Sequence, residues 1–280
     1  VPAQDGEHPQ RPGGQPLPPV PFAQAGRRLA AAVAESATLT GRCIRLSRRD
    51  VEALVMAVVL PLLMMALFVY VFGGALAGRA AYVTYVVPGI VLLCVGFGAA
   101  STAPAVAADM TSGMVDRLRS MPIAGSALLT GHVVASVARN AVATAVVLAG
   151  ALAMGFRPDA GPVEWLAALG LLLLYVLALS WLAAGLGAIA SSVQSANALT
   201  FAMLFLPYLS SAFVPTETLP GVLRAVAEHQ PITPVIEAVR GLLTGTPVGS
   251  AGPLALAWCT GLLGGSVLLA VFLPRRRLAE

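Results

Sequence analysis

The sequence predicts an all-α integral membrane protein with six transmembrane helices. Three observations carry this expectation: the composition, the long charge-free runs and the distribution of arginines. Only 11% of residues are charged while 58% are hydrophobic, and the mean hydropathy is +0.83. A soluble domain carries about 25% charged residues, so this chain lacks the polar surface that water requires. The same composition excludes disorder over most of the length.

All 17 basic residues are arginine. Without lysine there is no phosphate-loop lysine and no Schiff-base lysine. Cys43, Cys94 and Cys259 are odd in number and widely scattered, which offers neither a disulfide framework nor a zinc-binding spacing. The net charge of +4 does not mark a nucleic-acid binder, because the arginines sort by membrane side.

Residues 1–26, rich in Pro, Gly, Gln and Ala, read as a disordered cytoplasmic tail and lack the apolar core of a signal peptide. Residues 27–50 place Arg27, Arg28, Arg42, Arg45, Arg48 and Arg49 among Leu29, Val33, Leu39, Cys43, Ile44 and Leu46. This pattern suits a cytoplasmic interfacial helix region, with a polybasic flank of no defined face as the alternative.

The transmembrane domain is expected over residues 51–275. Ala53 to Phe72 is charge-free and long enough to cross about 30 Å of hydrocarbon, with Pro61 kinking it, so the first span is placed at 53–72. The next charge-free run, Ala80 to Ala108, holds a second span at 82–105 plus a re-entrant or interfacial end, with Tyr82 and Tyr85 as interface anchors. A third span at 128–154 carries Arg139 near its middle. Trp165 to Thr216 is charge-free over 52 residues, and the polar break at 191–197 divides it into spans at 166–190 and 198–214, the latter interrupted by Pro207. In the polar segment that follows, Leu219, Val222, Leu223 and Val226 form one face of a short outer helix beside Arg224 and Glu228. The last span is expected at 254–273, before a tail at 276–280.

Six spans put both termini on one side. Assigning that side to the cytoplasm places Arg11, Arg27, Arg28, Arg42, Arg45, Arg48, Arg49, Arg117, Arg119, Arg275, Arg276 and Arg277 inside. Only Arg79, Arg157, Arg224 and Arg240 then lie outside. The positive-inside rule selects this orientation, with both ends cytoplasmic at the cell membrane.

Four segments now carry a resemblance: FVYVFGGALAG (68–78), YVVPGI (85–90), DMTSGMVDRLRSMPI (109–123) and the long stretch from Leu206 to Gly245 with Pro215, Pro220, Pro231, Pro234 and Arg240. Their order and spacing resemble the daunorubicin-resistance class of ABC-2 type transporter permeases, the membrane subunits of bacterial export systems, over roughly residues 40–275. The chain departs from that class at Gly125-Ser126, where many relatives have an arginine. The resemblance implies an ABC-2 exporter type bundle with an N-terminal interfacial helix and short re-entrant or outer helices before the last span. It also implies a separate ATP-binding cassette subunit in two copies, a second permease as homo- or heterodimer, and ATP and magnesium bound by the partner. No cofactor and no catalysis are expected in this chain. The implied cargo is an amphipathic antibiotic or other hydrophobic metabolite, exported for self-resistance, with export of a lipid or polysaccharide precursor as the alternative. An ion-coupled secondary transporter would favour inverted halves and buried acids, which are not evident; a membrane scaffold is a third reading.

Two groups of residues stand out. In the inner loop, Met110, Met114, Leu118 and Met121 recur at helical spacing, with Asp116, Arg117 and Arg119 on the remaining face. By resemblance this segment is the element that couples to the ATP-binding partner. The residues alone say only that a partner or the membrane surface covers the stripe. The second group is Arg139 with His132, Ser136, Asn140 and Thr144, which lie at steps of four on one helix face. An arginine at span centre costs about 2.5–3.5 kcal/mol to insert, so this face turns toward protein or a wet path. Interhelical hydrogen bonding and a role in the transport path are both open. Glu217, Glu228 and Glu237 with Arg224 and Arg240 form an outer rim, either solvated or guiding a cationic amphiphile. Gly261 and Gly265 give a close-approach spacing in the last span.

Overall fold

The computed structural model describes residues 41, 43, 51–73, 78–112 and 125–277. Every regular element among them is helical. Helix α1 (Val51–Leu67) continues into a π-helical turn (Phe68–Phe72). Helices α2 (Arg79–Ala100) and α3 (Thr102–Thr111) follow almost without interruption, then α4 (Gly125–Ala153) and α5 (Pro162–Ile189). Helix α6 (Val193–Phe205) tightens into a 3₁₀ turn (Leu206–Leu209). Two short helices, α7 (Gly221–His229) and α8 (Ile232–Thr244), precede α9 (Ala251–Arg277).

Five stretches are long and apolar enough to cross a bilayer: Val55–Phe72, Ala81–Thr111, Leu128–Ala153, Pro162–Ile189 and Ala251–Ala270. The apolar run Val193–Leu209 is shorter. The described residues therefore form an all-α, multi-span membrane bundle. Burial separates its layers. The window in Ala81–Thr111 is 83% buried, against 22% for those in Val55–Phe72 and Ala251–Ala270, so α2 and α3 form a central post with α1 and α9 at the periphery. Helix α5 packs against α2, α3, α4, α8 and α9. Val86, Ile90 and Leu93 of α2 share one apolar core with Val147 of α4, Leu171 of α5 and Ile236 of α8. Val55, Val59 and Leu63 of α1 and Leu166, Leu169 and Leu173 of α5 point outward, where lipid tails solvate them without penalty.

Prolines and serines decide where the helices break. Pro61 has no N–H for the carbonyl of Ala57 four residues earlier. The Cys94 thiol donates to that carbonyl at 3.1 Å. Pro104 leaves the carbonyl of Ala100 in the same position, and α2 ends there, with Ser101 as the joint. The second charge-free run, a single stretch long enough to cross at Ala81–Thr111, is thus one helix to Ala100 and another to Thr111. At the break after α5, Ser192 Oγ accepts from the Ser195 N–H at 3.1 Å and Ser195 Oγ accepts from the Ser192 N–H at 3.0 Å. This reciprocal cap starts α6 at Val193, five residues before the span expected at 198–214. Pro207 falls within the 3₁₀ turn that ends the run. Pro220 stands at the N-cap position of α7. Gly245 closes α8 with φ +67°, a left-handed conformation suited to glycine. Apart from Gly41 and Cys43, the tail at 1–26 and the interfacial region at 27–50 lie outside the described residues.

The two ends of the bundle are distinct. At one end Tyr82 donates to the Phe213 carbonyl at 3.0 Å, and the Asp159 N–H donates to the Leu243 carbonyl at 3.1 Å. At the other, Val106, Leu129, Val133, Ala184 and Ala270 cluster together. The C-terminal half of α9 therefore sits at the same end as the helices flanking residues 113–124.

Close approach of α5 to α3 depends on Gly187, where an added Cβ would fall 2.9 Å from Val106 Cβ and collide with the Ala103 carbonyl. Gly170 on the same helix has nothing within 4 Å. Gly187→Ala is expected to lower stability by about 1–3 kcal/mol, read as a lower melting temperature in detergent. Gly170→Ala should leave melting unchanged or slightly raised. Equal melting of the two variants would contradict the packing.

Candidate functional site

Helix α4 turns a polar stripe toward the central post. Ser136 and Asn140 are fully buried and His132 nearly so. His132 Nε2 lies 2.9 Å from Asp109 Oδ2 at the end of α3. Ser136 Oγ lies 2.9 Å from Ser180 Oγ on α5. Asn140 donates to the Ser136 carbonyl at 3.0 Å, and its carboxamide rests against Gly98 of α2, where any Cβ would collide with it. Thr144, a turn further on, sits beside the Cys94 thiol. The stripe thus gathers His132, Ser136, Asn140 and Thr144 against three other helices.

Arg139 adjoins the stripe and meets the break between α2 and α3. Its Nη2 donates to the Gly98 carbonyl at 2.8 Å and to Thr102 Oγ1 at 3.3 Å. Gly98 lies in the last turn of α2, where carbonyls commonly lack intrahelical donors; Ser101 Oγ also donates to it, at 3.1 Å. The guanidinium also sits where the helix dipole is negative. The Arg139 cation is therefore held at the C-terminal end of α2. One of its acceptors is a backbone carbonyl, which no side-chain pattern announces.

The inner-loop residues are divided. Met110 is partly buried against the Val106, Leu129 and Val133 cluster. Met114, Asp116, Arg117, Leu118, Arg119 and Met121 lie outside the described residues. Asp109 and His132, which face each other, stand on the helices before and after that segment.

A second polar knot, at the opposite end, was missed by sequence reasoning. The Arg240 guanidinium on α8 lies 3.9 Å from the centre of the Tyr85 ring. Its Nε donates to the Tyr85 carbonyl at 3.1 Å, and Nη2 donates to the Ser211 carbonyl at 2.6 Å. The Tyr85 hydroxyl donates to the same Ser211 carbonyl at 2.9 Å, and the Gln230 amide donates to the Leu209 carbonyl. Glu237 is exposed, yet partial desolvation raises the pKa of its carboxyl, against the pull of Arg240. Tyr82 and Tyr85 thus turn inward and secure the segment after α6 instead of anchoring at the lipid interface. Their spacing of three on one helix, matched by Glu237 and Arg240 on another, was the available signal. Of the expected rim, Arg224 and Glu228 do form an exposed pair at 2.7 Å, an arrangement that contributes little to stability.

Neither knot assembles a nucleophile with a base, and among the described residues no cluster of His, Cys, Asp or Glu could hold a metal. The chemistry here is positional: donors placed on carbonyls and hydroxyls in an apolar medium. Arg139→Leu is expected to cost about 1.5–3 kcal/mol, the value of a hydrogen bond to a charged group. Arg139→Glu should cost more, because it places a carboxylate against the Gly98 carbonyl and the negative end of α2. Melting of matched samples in detergent measures both. Wild-type melting for the two variants would remove Arg139 from any role in the bundle.

Comparison with known proteins agrees with this architecture. The model of the ABC-2 type transporter family matches residues 35–244, about three quarters of the chain. The daunorubicin resistance ABC transporter permease protein DrrB1 of Streptomyces coeruleorubidus is 32% identical over 256 residues, covering 89% of this chain and 88% of that relative. The "Probable doxorubicin resistance ABC transporter permease protein DrrC" of Mycobacterium tuberculosis, in each of two strains, is 26% identical over 237 residues, covering 82% of this chain and 84% of that relative. The chain belongs to the ABC-2 type transporter family, as a membrane permease subunit of the exporter kind.

Proposed function

We propose that this chain is the membrane half of an ATP-driven exporter that moves an amphipathic antibiotic or other hydrophobic metabolite out of the cell. The observation that carries the cargo class is the likeness to the daunorubicin-resistance permease along nearly the whole of both chains. ATP and magnesium belong to a separate ATP-binding subunit, two copies of which act on a pair of permeases. The inner segment with Met110, Met114, Asp116, Arg117, Leu118, Arg119 and Met121 docks in that subunit. The Asp109–His132 contact at 2.9 Å supports this reading, because it ties the helix entering the segment to the helix leaving it. The stripe of His132, Ser136, Arg139, Asn140 and Thr144 then keeps α4 in register with α2 and α3 as the segment moves.

We also propose six crossings with both termini cytoplasmic. Thirteen α-helical residues in α6 rise about 20 Å and the four of its 3₁₀ turn about 8 Å. That sum approaches the roughly 30 Å hydrocarbon core. The distribution of arginines supports the orientation.

Single cysteines in a cysteine-free background test the topology. Sites at Ser120 and Arg277 should react only from the cytoplasm and a site at Glu228 only from outside; external reaction at Arg277 would overturn the orientation. The docking role is tested with Met114→Ala and Leu118→Ala together. Buried truncations of this kind cost about 2–5 kcal/mol, so the ATP-binding partner should co-purify at least tenfold less well while membrane insertion is unchanged. Wild-type complex yield with wild-type transport would reject the segment as the docking surface. Stimulation of the partner's ATPase by the reconstituted wild-type permease, with drug efflux, tests the exporter reading itself.

A further inference from the structure

Residues 210–215 belong to no helix, yet the stretch is closely held. From Leu209 to Phe213 every second carbonyl accepts from a side chain of another element: Leu209 from Gln230, Ser211 from Tyr85 and Arg240, and Phe213 from Tyr82. The Phe213 ring stacks on Phe68 of the π-helical turn, with centroids 4.4 Å apart. Between these contacts Ala212 sits on Gly89 of α2, where an added Cβ would fall within 2.8 Å of the Ala212 Cβ, Cα and oxygen. The segment is a strap laid across the first half of α2. The strap is the part able to move, because the run containing α2 is the most buried of the spans.

Arg240 holds this strap from an unexpected seat. Glu237 stands one turn earlier on α8 and is exposed. That spacing lets helix side chains pair, and each group feels the other's charge. The pair is nevertheless not made: among the described residues Arg240 makes no ion pair. Its guanidinium lies over the Tyr85 ring and donates to the Tyr85 and Ser211 carbonyls instead. One cation thus has two seats within reach, and only one of them holds the strap.

We propose that Arg240 is a two-position latch: on the Ser211 carbonyl it closes the strap over α2, and on the Glu237 carboxylate it releases the strap. The closed seat costs the cation part of its water. The open seat keeps that water and gains an exposed ion pair, which is weak, so neither position is locked. Use of the latch to close the outlet rests on the exporter reading; the movement itself does not.

A thiol reports the position of the strap. Ser211→Cys, in a cysteine-free background, exchanges a hydroxyl for a thiol at a residue that is 2% exposed. Its alkylation by iodoacetamide, a neutral reagent, is timed on the full chain in nanodiscs. Glu237→Gln removes the open seat and should slow alkylation roughly twofold to fivefold, the worth of an exposed ion pair. Arg240→Met removes the closed seat and should speed it about tenfold or more, the worth of a hydrogen bond from a charged group. Direct charge effects on the thiol run the other way: losing the carboxylate favours the reactive thiolate, and losing the guanidinium disfavours it. A fixed, purely structural knot therefore predicts no slowing in Glu237→Gln. Alkylation in Glu237→Gln at least as fast as in the parent, or no alkylation of any variant, would overturn the latch. If Arg240→Met does not fold, the Glu237→Gln comparison at an exposed position decides alone. In the complex with the ATP-binding partner, Glu237→Gln should also slow drug efflux at unchanged complex yield. Slowed alkylation with parental efflux would overturn the outlet role, whereas a parent that exports nothing would count against the exporter reading instead.

Discussion

Inside a bilayer a backbone carbonyl that loses its helical donor finds no water to replace it. Much of this molecule answers that constraint. Pro61 deprives the Ala57 carbonyl, and Cys94 on the neighbouring helix supplies a thiol. At the joint between α2 and α3, Arg139 and Ser101 donate to the Gly98 carbonyl in the last turn of α2. Near the other end of the bundle, Arg240 and Tyr85 both serve the Ser211 carbonyl in the segment that follows α6. Each repair comes from a different element than the break, or from the residue at the joint. The breaks therefore fix which helices are neighbours, something uniform apolar packing would specify only weakly.

The central post gains most from this arrangement. Helix α2 is clamped at its beginning by the Tyr85–Arg240 knot and at its end by Arg139, while Asp109 on α3 meets His132. Two cations thus sit at the two ends of one helix, each donating to carbonyl oxygen there. A post held at both ends keeps a fixed place among the helices that pack around it.

Much of the fold was legible because transmembrane helices are long, apolar and nearly free of charge. The runs around 53–72, 128–154, 166–190 and 254–273 needed no further clue, and the polar break at 191–197 turned out to be a reciprocal serine cap. Arg139 was conspicuous for the same reason, and its face with His132, Ser136, Asn140 and Thr144 followed from a spacing of four. Its contact with the Gly98 carbonyl was not legible, because side-chain patterns do not report backbone carbonyls. Tyr82 and Tyr85 were read as interface anchors because aromatics near span ends commonly are; their true partners, at Ser211 and Phe213, lie some 130 residues away in sequence. The inner segment beyond Ser112 is legible only through family resemblance and its methionine spacing.

The most direct measurement is the distance between the Gly98 carbonyl and the Arg139 guanidinium in a lipid bilayer, by solid-state NMR recoupling of ¹³C-carbonyl glycine with ¹⁵Nη arginine. A strong short-range coupling that vanishes in Arg139→Leu is predicted, as befits an Nη2-to-oxygen separation of 2.8 Å. Identical spectra for wild type and Arg139→Leu, with the guanidinium exchanging freely with water, would contradict the claim that donors from neighbouring helices repair the breaks.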